Sequence, residues 1–442
     1  MALACGSGHS AAVAEDGALL VWGRGEQGRL GLGSNTANRL TPTRVEVAPI
    51  KMVAARYDHT AMVTAAGDLL MCGRGSEGQL GVGDLVTRTT PTLVERALFD
   101  GDAVQMVACG ERHSAALTEA SGVYTFGYGG RGRLGHGDAE NQLAPRRVPA
   151  AAFNDERVVM VDAGSAHTVA LSEAGHVYTW GHGGDGQLGH DNTEDLCAPR
   201  LVEPGLFGGE KVVFVAAGGL HTLAITAGGR LYTWGLGAFG QLGHGDHANR
   251  LVPTLVGGGA FGGSAVLMAA CGLFHSLLVT RDGALWASGN GADGQLGLDK
   301  CRHTMLLHFE RVLGVPPIVA VAAGDSNSAA VSVNGSLYTW GNGAAGRLGH
   351  GDVLRHVVPT EVTSAGARIG RCRGLPAEHA LAFAMGTHNR LGAAADAHCS
   401  ALAAEPGLVA LIVHLCLAWQ AAGETEGLLR LLGGSVVIST AA

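Results

Sequence analysis

Residues 164–190 read GSAHTVALSEAGHVYTWGHGGDGQLGH. Two short runs, 168–172 and 176–180, are rich in Val, Thr, Tyr and Trp and are joined by an Ala-Gly turn. That pattern is a β-hairpin, and the Gly-rich stretch after Trp180 is turn punctuation. The same pieces recur along the chain. A Leu-Gly pair stands at Leu30, Leu80, Leu134, Leu188, Leu242, Leu296 and Leu348, with successive spacings of 50, 54, 54, 54, 54 and 52 residues. Upstream of each pair by 21 residues stands His9, His59, His113, His167, His221, His275 and, in the seventh copy, Asn327. A fixed offset held through seven copies makes this a repeat protein.

Working outward from the hairpin, a run at 158–163 precedes it and a Pro-x-x-Val segment follows, giving four strands per unit. Four-stranded units of this length predict an all-β, seven-bladed β-propeller; a helical array would need apolar residues at 3.6-residue spacing. The innermost strand carries small residues, among them Ala4-Cys5, Ala54-Ala55, Ala108-Cys109, Ala216-Ala217, Ala270-Cys271 and Ala322-Ala323. Seven sheets converging on one axis leave room for little more. The Trp-Gly steps at Trp22, Trp180, Trp234 and Trp340, varied to Phe126-Gly and Cys72-Gly, place bulk where neighbouring blades would pack. Pro-x-x-Val recurs at Pro42, Pro91, Pro145, Pro199, Pro253 and Pro359, as suits an edge strand, with Leu307 in its place in the sixth copy. The first unit lacks a preceding segment of this kind. Residues 359–362 are therefore expected to close the ring by pairing into the sheet that holds residues 3–10.

The repeat divides the chain. Residues 1–363 make the propeller. Residues 364–392 hold a partial eighth repeat, in which Leu391-Gly follows His379 after only 12 residues, and it is expected to pack on the propeller. Residues 393–442 form an Ala/Leu-rich extension expected to be helical, with Leu408, Leu411, Ile412, Leu415 and Trp419 at helical spacing after Pro406.

Composition narrows the function. Hydrophobic residues make up 47% and charged residues 15%, enough for a large core. The net charge of −8 argues against a whole-protein grip on nucleic acid. The nine Cys include no Cys-x-x-Cys, and Cys5, Cys109 and Cys271 stand where other units carry Ala; they read as small core residues in a reducing compartment. The start of the chain lacks the pattern of a secretion signal, and the apolar run 408–419 is too short to span a bilayer. The expectation is an intracellular protein, cytoplasmic or nuclear, with no transmembrane segment.

The unit Gly-x-x-His, Tyr-Thr-Trp-Gly, Gln-Leu-Gly-His resembles the regulator of chromosome condensation repeat family from residue 2 to about residue 363. The resemblance implies a seven-bladed propeller and several functions: nucleotide exchange on a small nuclear GTPase, UV-B photoreception in plants, and recognition modules of HERC-type ubiquitin ligases. The fold does not choose among them. The intervals from each Leu-Gly to the next His position are 29, 33, 33, 33, 33 and 31 residues, so no blade carries an extra hairpin to act as an exchange wedge. The photoreceptor places Trp just after the Gly of Gly-x-x-His; here that position holds Ser7, Tyr57, Glu111, Ser165, Gly219, Leu273 and Asp325. No ligase catalytic domain fits in the residues after 363.

Chemistry-bearing motifs are weak. The repeat histidines, with His136, His190, His244 and His350 after Leu-Gly, fall one per blade, too dispersed for a metal site, and read as hydrogen-bonding turn residues. Gly-x-Gly-x-x-Gly strings such as residues 23–28 lie between strands, with no helix N-terminus to hold a phosphate. No cofactor and no enzymatic activity are expected. What varies between blades is more telling. Arg24, Arg56, Arg74, Arg112 and Arg131 occupy loops of the first three blades, and Leu220, Leu236, Phe239, Leu273 and Phe274 the same loops of the fifth and sixth. The reading is a scaffold or adaptor that binds a protein partner on one face, basic on one side and apolar on the other. The partner would be an acidic-hydrophobic segment or a small Ran-like GTPase undergoing exchange, or a substrate presented as in HERC-type propellers.

Overall fold

The computed structural model describes residues 3–257, 259–299, 305–365 and 369. In the unit quoted above, the strands are Val158–Ala163, His167–Ser172, Val177–Gly181 and Leu196–Leu201, each antiparallel to the one before it. Six more four-stranded sheets repeat that order. Blades 1 to 7 span residues 3–45, 50–94, 104–147, 158–201, 212–255, 266–312 and 318–361.

Every blade is a contiguous stretch of chain, and this corrects the expected closure. The strand His356–Glu361 pairs with Leu337–Gly341 of its own blade, in register Tyr338 with Glu361. The strand Leu3–Cys5 likewise pairs only with His9–Val13. Pro-x-x-Val ends the units that carry it instead of beginning the next, so there is no surplus strand among the described residues. In blade 6 the residue at the Pro register is Phe309, not Leu307: Leu285 pairs with Val312 as Leu69 pairs with Val94. A single residue past the last blade does bridge the ends. Ile369, fully buried, pairs with Ala14 of blade 1 and donates its N–H to the carbonyl of Gly335 in blade 7 at 3.1 Å. Apart from residues 364, 365 and 369, the expected partial repeat and helical extension lie outside the described residues.

The core lies between the blades. Trp22, Trp180, Trp234 and Trp340 are fully buried. The indole N–H of Trp22, Trp234 and Trp340 donates at 2.9 Å to the carbonyl of Arg347, Gln187 and Gln295 in the preceding blade. The Leu-Gly glycine explains itself here. A Cβ on Gly135 would come within 2.7 Å of the Trp180 ring, and its φ of +78° belongs to the left-handed region. Leu188, buried beside its Gly, accepts the Thr179 hydroxyl at its carbonyl.

Candidate functional site

One end of the ring is tied together by a circuit of side chains. Nε2 of His9 meets Oγ1 of Thr60 at 2.7 Å. The pattern continues through His59 with Ser114, His113 with Thr168, His167 with Thr222, His221 with Ser276 and His275 with Ser328, all at 2.9–3.1 Å. Asn327 closes the circuit by donating to Ser10 at 3.4 Å. Each hydroxyl spends its own proton on a backbone carbonyl, as Thr168 does on Arg133 and Thr222 on Gln187, both at 2.8 Å. The imidazole must therefore donate from Nε2, which fixes the neutral tautomer.

Burial holds these rings neutral: His59 is held down to about 4, and His167, His221 and His275 to about 3. Their Nδ1 atoms have no hydrogen-bond partner in the protein. They face the Gly three residues earlier, where a Cβ would lie 2.2–2.7 Å from the ring in blades 1, 3, 4, 5 and 6. The second set behaves alike: His136, His190, His244 and His350 meet Thr125, Thr179, Thr233 and Thr339 at 2.8–2.9 Å. Histidines expected to bond the backbone thus bond hydroxyls, the first set across blade boundaries.

The loops above this circuit share one face. In each blade the residue after the Trp-Gly step donates its N–H to the residue before the repeat His; examples are Arg24 to Gly8, Arg74 to Asp58, Leu236 to Leu220 and Asn290 to Phe274, at 2.8–2.9 Å. The arm leading to Leu-Gly has two forms, set by one residue. Where that residue is Gln, its Oε1 accepts a backbone N–H two residues back, as Gln241 does from Phe239 at 3.0 Å. Where it is Arg29, Arg133 or Arg347, Nε donates to the carbonyl three residues back. The residue between them then turns left-handed: Gln27 at φ +60°, Arg131 at +63° and Ala345 at +61°.

Four of the five expected arginines lie on this face, each beside a carboxylate: Arg24 with Glu26 at 3.4 Å, Arg74 with Asp58 at 3.9 Å, Arg112 with Glu111 at 3.3 Å and Arg131 with Asp195 at 3.2 Å. That half is charge-balanced, not basic. Asp58 is also held at 2.6 Å by the buried Arg29. Tyr128 lies beneath two guanidiniums, those of Arg133 at 4.9 Å and Arg112 at 6.0 Å from its ring centre. Leu220, Leu236, Phe239, Leu273 and Phe274 are half-buried on blades 5 and 6. The rings of Phe239 and Phe274 stack with centres 4.3 Å apart, tilted by 34°.

Arg56 is elsewhere. It occupies the Gly of Gly-x-x-His, and blade 2 accommodates it with a tighter hairpin, Arg56 pairing with His59 and Tyr57 at φ +49°. Its guanidinium crosses the central axis and donates to the carbonyls of Ala163 in blade 4 (3.4 Å) and Ala217 in blade 5 (3.1 Å). Those two residues also hold Asp162, whose carboxylate accepts the N–H of Ala163 at 2.9 Å and of Ala217 at 2.8 Å. Asp162 stands where six blades carry Ala. Burial along the axis pushes its carboxyl up, opposed by these bonds and by Arg56. Reading Asp162 as a departure from the repeat would have found it. Exposed apolar residues on the rim of this face were also missed: Leu85 and Val86 of blade 2, and Val353 and Leu354 of blade 7.

Among the described residues no helix is long and apolar enough to cross a membrane. A family model described as the RCC1-like domain matches residues 1–223 and 152–389. The chain is 33% identical over 361 residues to the ultraviolet-B receptor UVR8 of Arabidopsis thaliana, covering 81% of this chain and 69% of that protein. It is 40% identical over 253 residues to the human E3 ubiquitin-protein ligase HERC2, covering 56% of this chain and only 5% of the ligase. Among solved structures, Prp20p of Saccharomyces cerevisiae, described with its binding properties to Gsp1p and histones, superposes with a TM-score of 0.69 at 26% identity, over 78% of this chain and 85% of that one.

Proposed function

We propose that this chain, which belongs to the RCC1-like domain family, is a protein-interaction propeller whose Gly-x-x-His end binds a protein partner. The observation that carries this reading is the stacked pair Phe239–Phe274. Sister blades hold Asp185 and Asp293 at the position of Phe239, and Ala166 and Ser326 at that of Phe274, so the fold does not require bulk there. With Leu220, Leu236 and Leu273 they make an apolar sector opposite the paired charges of blades 1 to 3, the distribution of an anchor with a polar rim. The chain is read as a binder and not an enzyme, since the ten repeat histidines are held neutral by burial and committed to hydroxyls. The free thiols of Cys5, Cys72, Cys109, Cys197 and Cys271 suit a reducing compartment inside the cell.

The second reading is nucleotide exchange on a small GTPase, favoured by the likeness to Prp20p and the Gsp1p binding with which that protein is described. A third is substrate recognition of the kind the HERC2 likeness suggests. A nucleotide-release assay against a panel of small GTPases, run beside affinity capture with the Phe239→Ala, Phe274→Ala variant as control, separates them. Accelerated release establishes exchange. Partners lost selectively by the variant establish the scaffold reading, and capture unchanged by the variant removes it.

A further inference from the structure

We propose that the seam between blades 7 and 1 is a second docking site, for an acidic peptide segment whose apolar side chains seat on Leu40, Val353 and Leu354 while its carboxylates pair with Arg39 and Arg355.

The rim loop of blade 7 lies against the outer strand of blade 1: the N–H of Gly351 donates to the carbonyl of Leu40 at 2.9 Å. Leu40 is 38% exposed, Val353 55% and Leu354 64%. Large apolar groups so exposed on neighbouring elements mark an interaction site more often than chance scatter. A guanidinium flanks the three on each side. Among the described residues, Arg39, next to Leu40, donates only to the carbonyl of Ala37, and Arg355, next to Leu354, only to the carbonyl of Ala292 in blade 6. Neither has a carboxylate partner among the described residues, unlike the four arginines of the central face. Asp352, also in this rim loop, accepts the N–H of Leu354 at 2.9 Å and faces His356 at 3.7 Å, with no ion pair to either arginine among the described residues.

The rims of blades 2 to 5 lack one half of this arrangement. Blade 2 offers Leu85 and Val86 beside Leu143 of blade 3, but its Arg88 is already bound to Asp84 at 2.5 Å. The rims of blades 3, 4 and 5 carry Ala139-Glu140, Thr193-Glu194 and His247-Ala248 in the same place. Apolar exposure and uncommitted cations coincide only at the seam of blades 7 and 1 among these. Charge complementarity therefore selects an acidic occupant. The site is distinct from the Phe239–Phe274 sector and does not rest on it.

Fluorescence anisotropy with the full chain and labelled synthetic peptides tests the proposal. One peptide interleaves Asp and Glu with Leu, a second replaces the Leu with Ser, and a third replaces the acids with Lys. The first is expected to bind, more weakly as salt rises, and to beat both others. Val353→Ser with Leu354→Ser, or Arg39→Ala with Arg355→Ala, is expected to weaken it by about tenfold or more at unchanged melting temperature. Arg39→Glu with Arg355→Glu should turn the preference toward the Lys peptide, and Phe239→Ala with Phe274→Ala should leave binding intact. Absence of saturable binding, a Lys-peptide preference in the unaltered chain, or binding unmoved by the seam variants but lost in the Phe variant would overturn it.

Discussion

The imidazole of His167 in blade 4 reaches across the blade boundary to the hydroxyl of Thr222 in blade 5, Nε2 to Oγ1 at 3.1 Å, and that hydroxyl is itself bound to the carbonyl of Gln187. Repeated around the ring, this contact makes a structural element out of six neutral histidines.

Acid should therefore dismantle the ring. The folded pKa of His167, His221 and His275 is about 3, well below the free-imidazole value of 6.5, so on acidification the unfolded chain takes up protons first. Stability from this source is intact above about pH 6.5 and falls as pH drops below it; at about pH 5 each such residue costs about 2 kcal/mol. Urea midpoints measured between neutral pH and pH 5 should fall steeply. His167→Asn, which copies Asn327, should flatten the slope. A midpoint independent of pH would refute the assignment.

The axis should show coupling between Arg56 and Asp162. Both are tied to Ala163 and Ala217, one to their carbonyls and the other to their N–H groups. Arg56→Gly restores the repeat but leaves Asp162 without its cation, and Asp162→Ala does the converse. Each single change should cost about 1–3 kcal/mol in chemical unfolding, and the double variant less than their sum by at least about 0.5 kcal/mol. Strict additivity would show that the two do not share a network.

A methyl group discriminates between glycines. Gly164→Ala would place Cβ 2.3 Å from the His167 ring and 2.5 Å from the carbonyl of Gly218; a loss of about 1–3 kcal/mol is expected. Gly257→Ala meets nothing within 4 Å and should leave the melting temperature nearly unchanged. Equal effects in thermal unfolding would mean the circuit tolerates rearrangement.

On the face, Arg24→Ala, Arg74→Ala and Arg131→Ala together leave Glu26, Asp58 and Asp195 with fewer counter-ions. Association with an acidic partner should slow, and added salt should relieve the deficit instead of causing it. Association rates measured at two ionic strengths decide this; a loss indifferent to salt would point to packing.

The ring of seven was legible because the residues that fix it are set by sterics common to every blade: Gly against an imidazole, Gly against an indole, Ala along the axis. The phase of the unit was harder. Pro-x-x-Val stands between two candidate sheets in the sequence, and only registers such as Leu69 with Val94 and Tyr338 with Glu361 show which it joins. Much of the candidate face was legible as residue type but not as charge, because Arg74 and Arg131 find Asp58 and Asp195 on other loops, while Arg24 and Arg112 pair with Glu26 and Glu111 beside them in the chain. Arg56 and Asp162 are far apart in the chain and meet only at the axis, where no local pattern announces them.

Among the described residues no blade borrows a strand from another, and this bears on how the molecule can be rebuilt. The joint between blades 7 and 1 is built like the other six, from side-chain contacts and a rim backbone bond, here Gly351 to Leu40, with the Ile369 bridge added. Its circuit contact is also the longest, Asn327 to Ser10 at 3.4 Å. The ring can thus be opened at any inter-blade connection without cutting a sheet, and a chain rearranged to begin at blade 2 would carry the joint with the longest circuit contact in its interior.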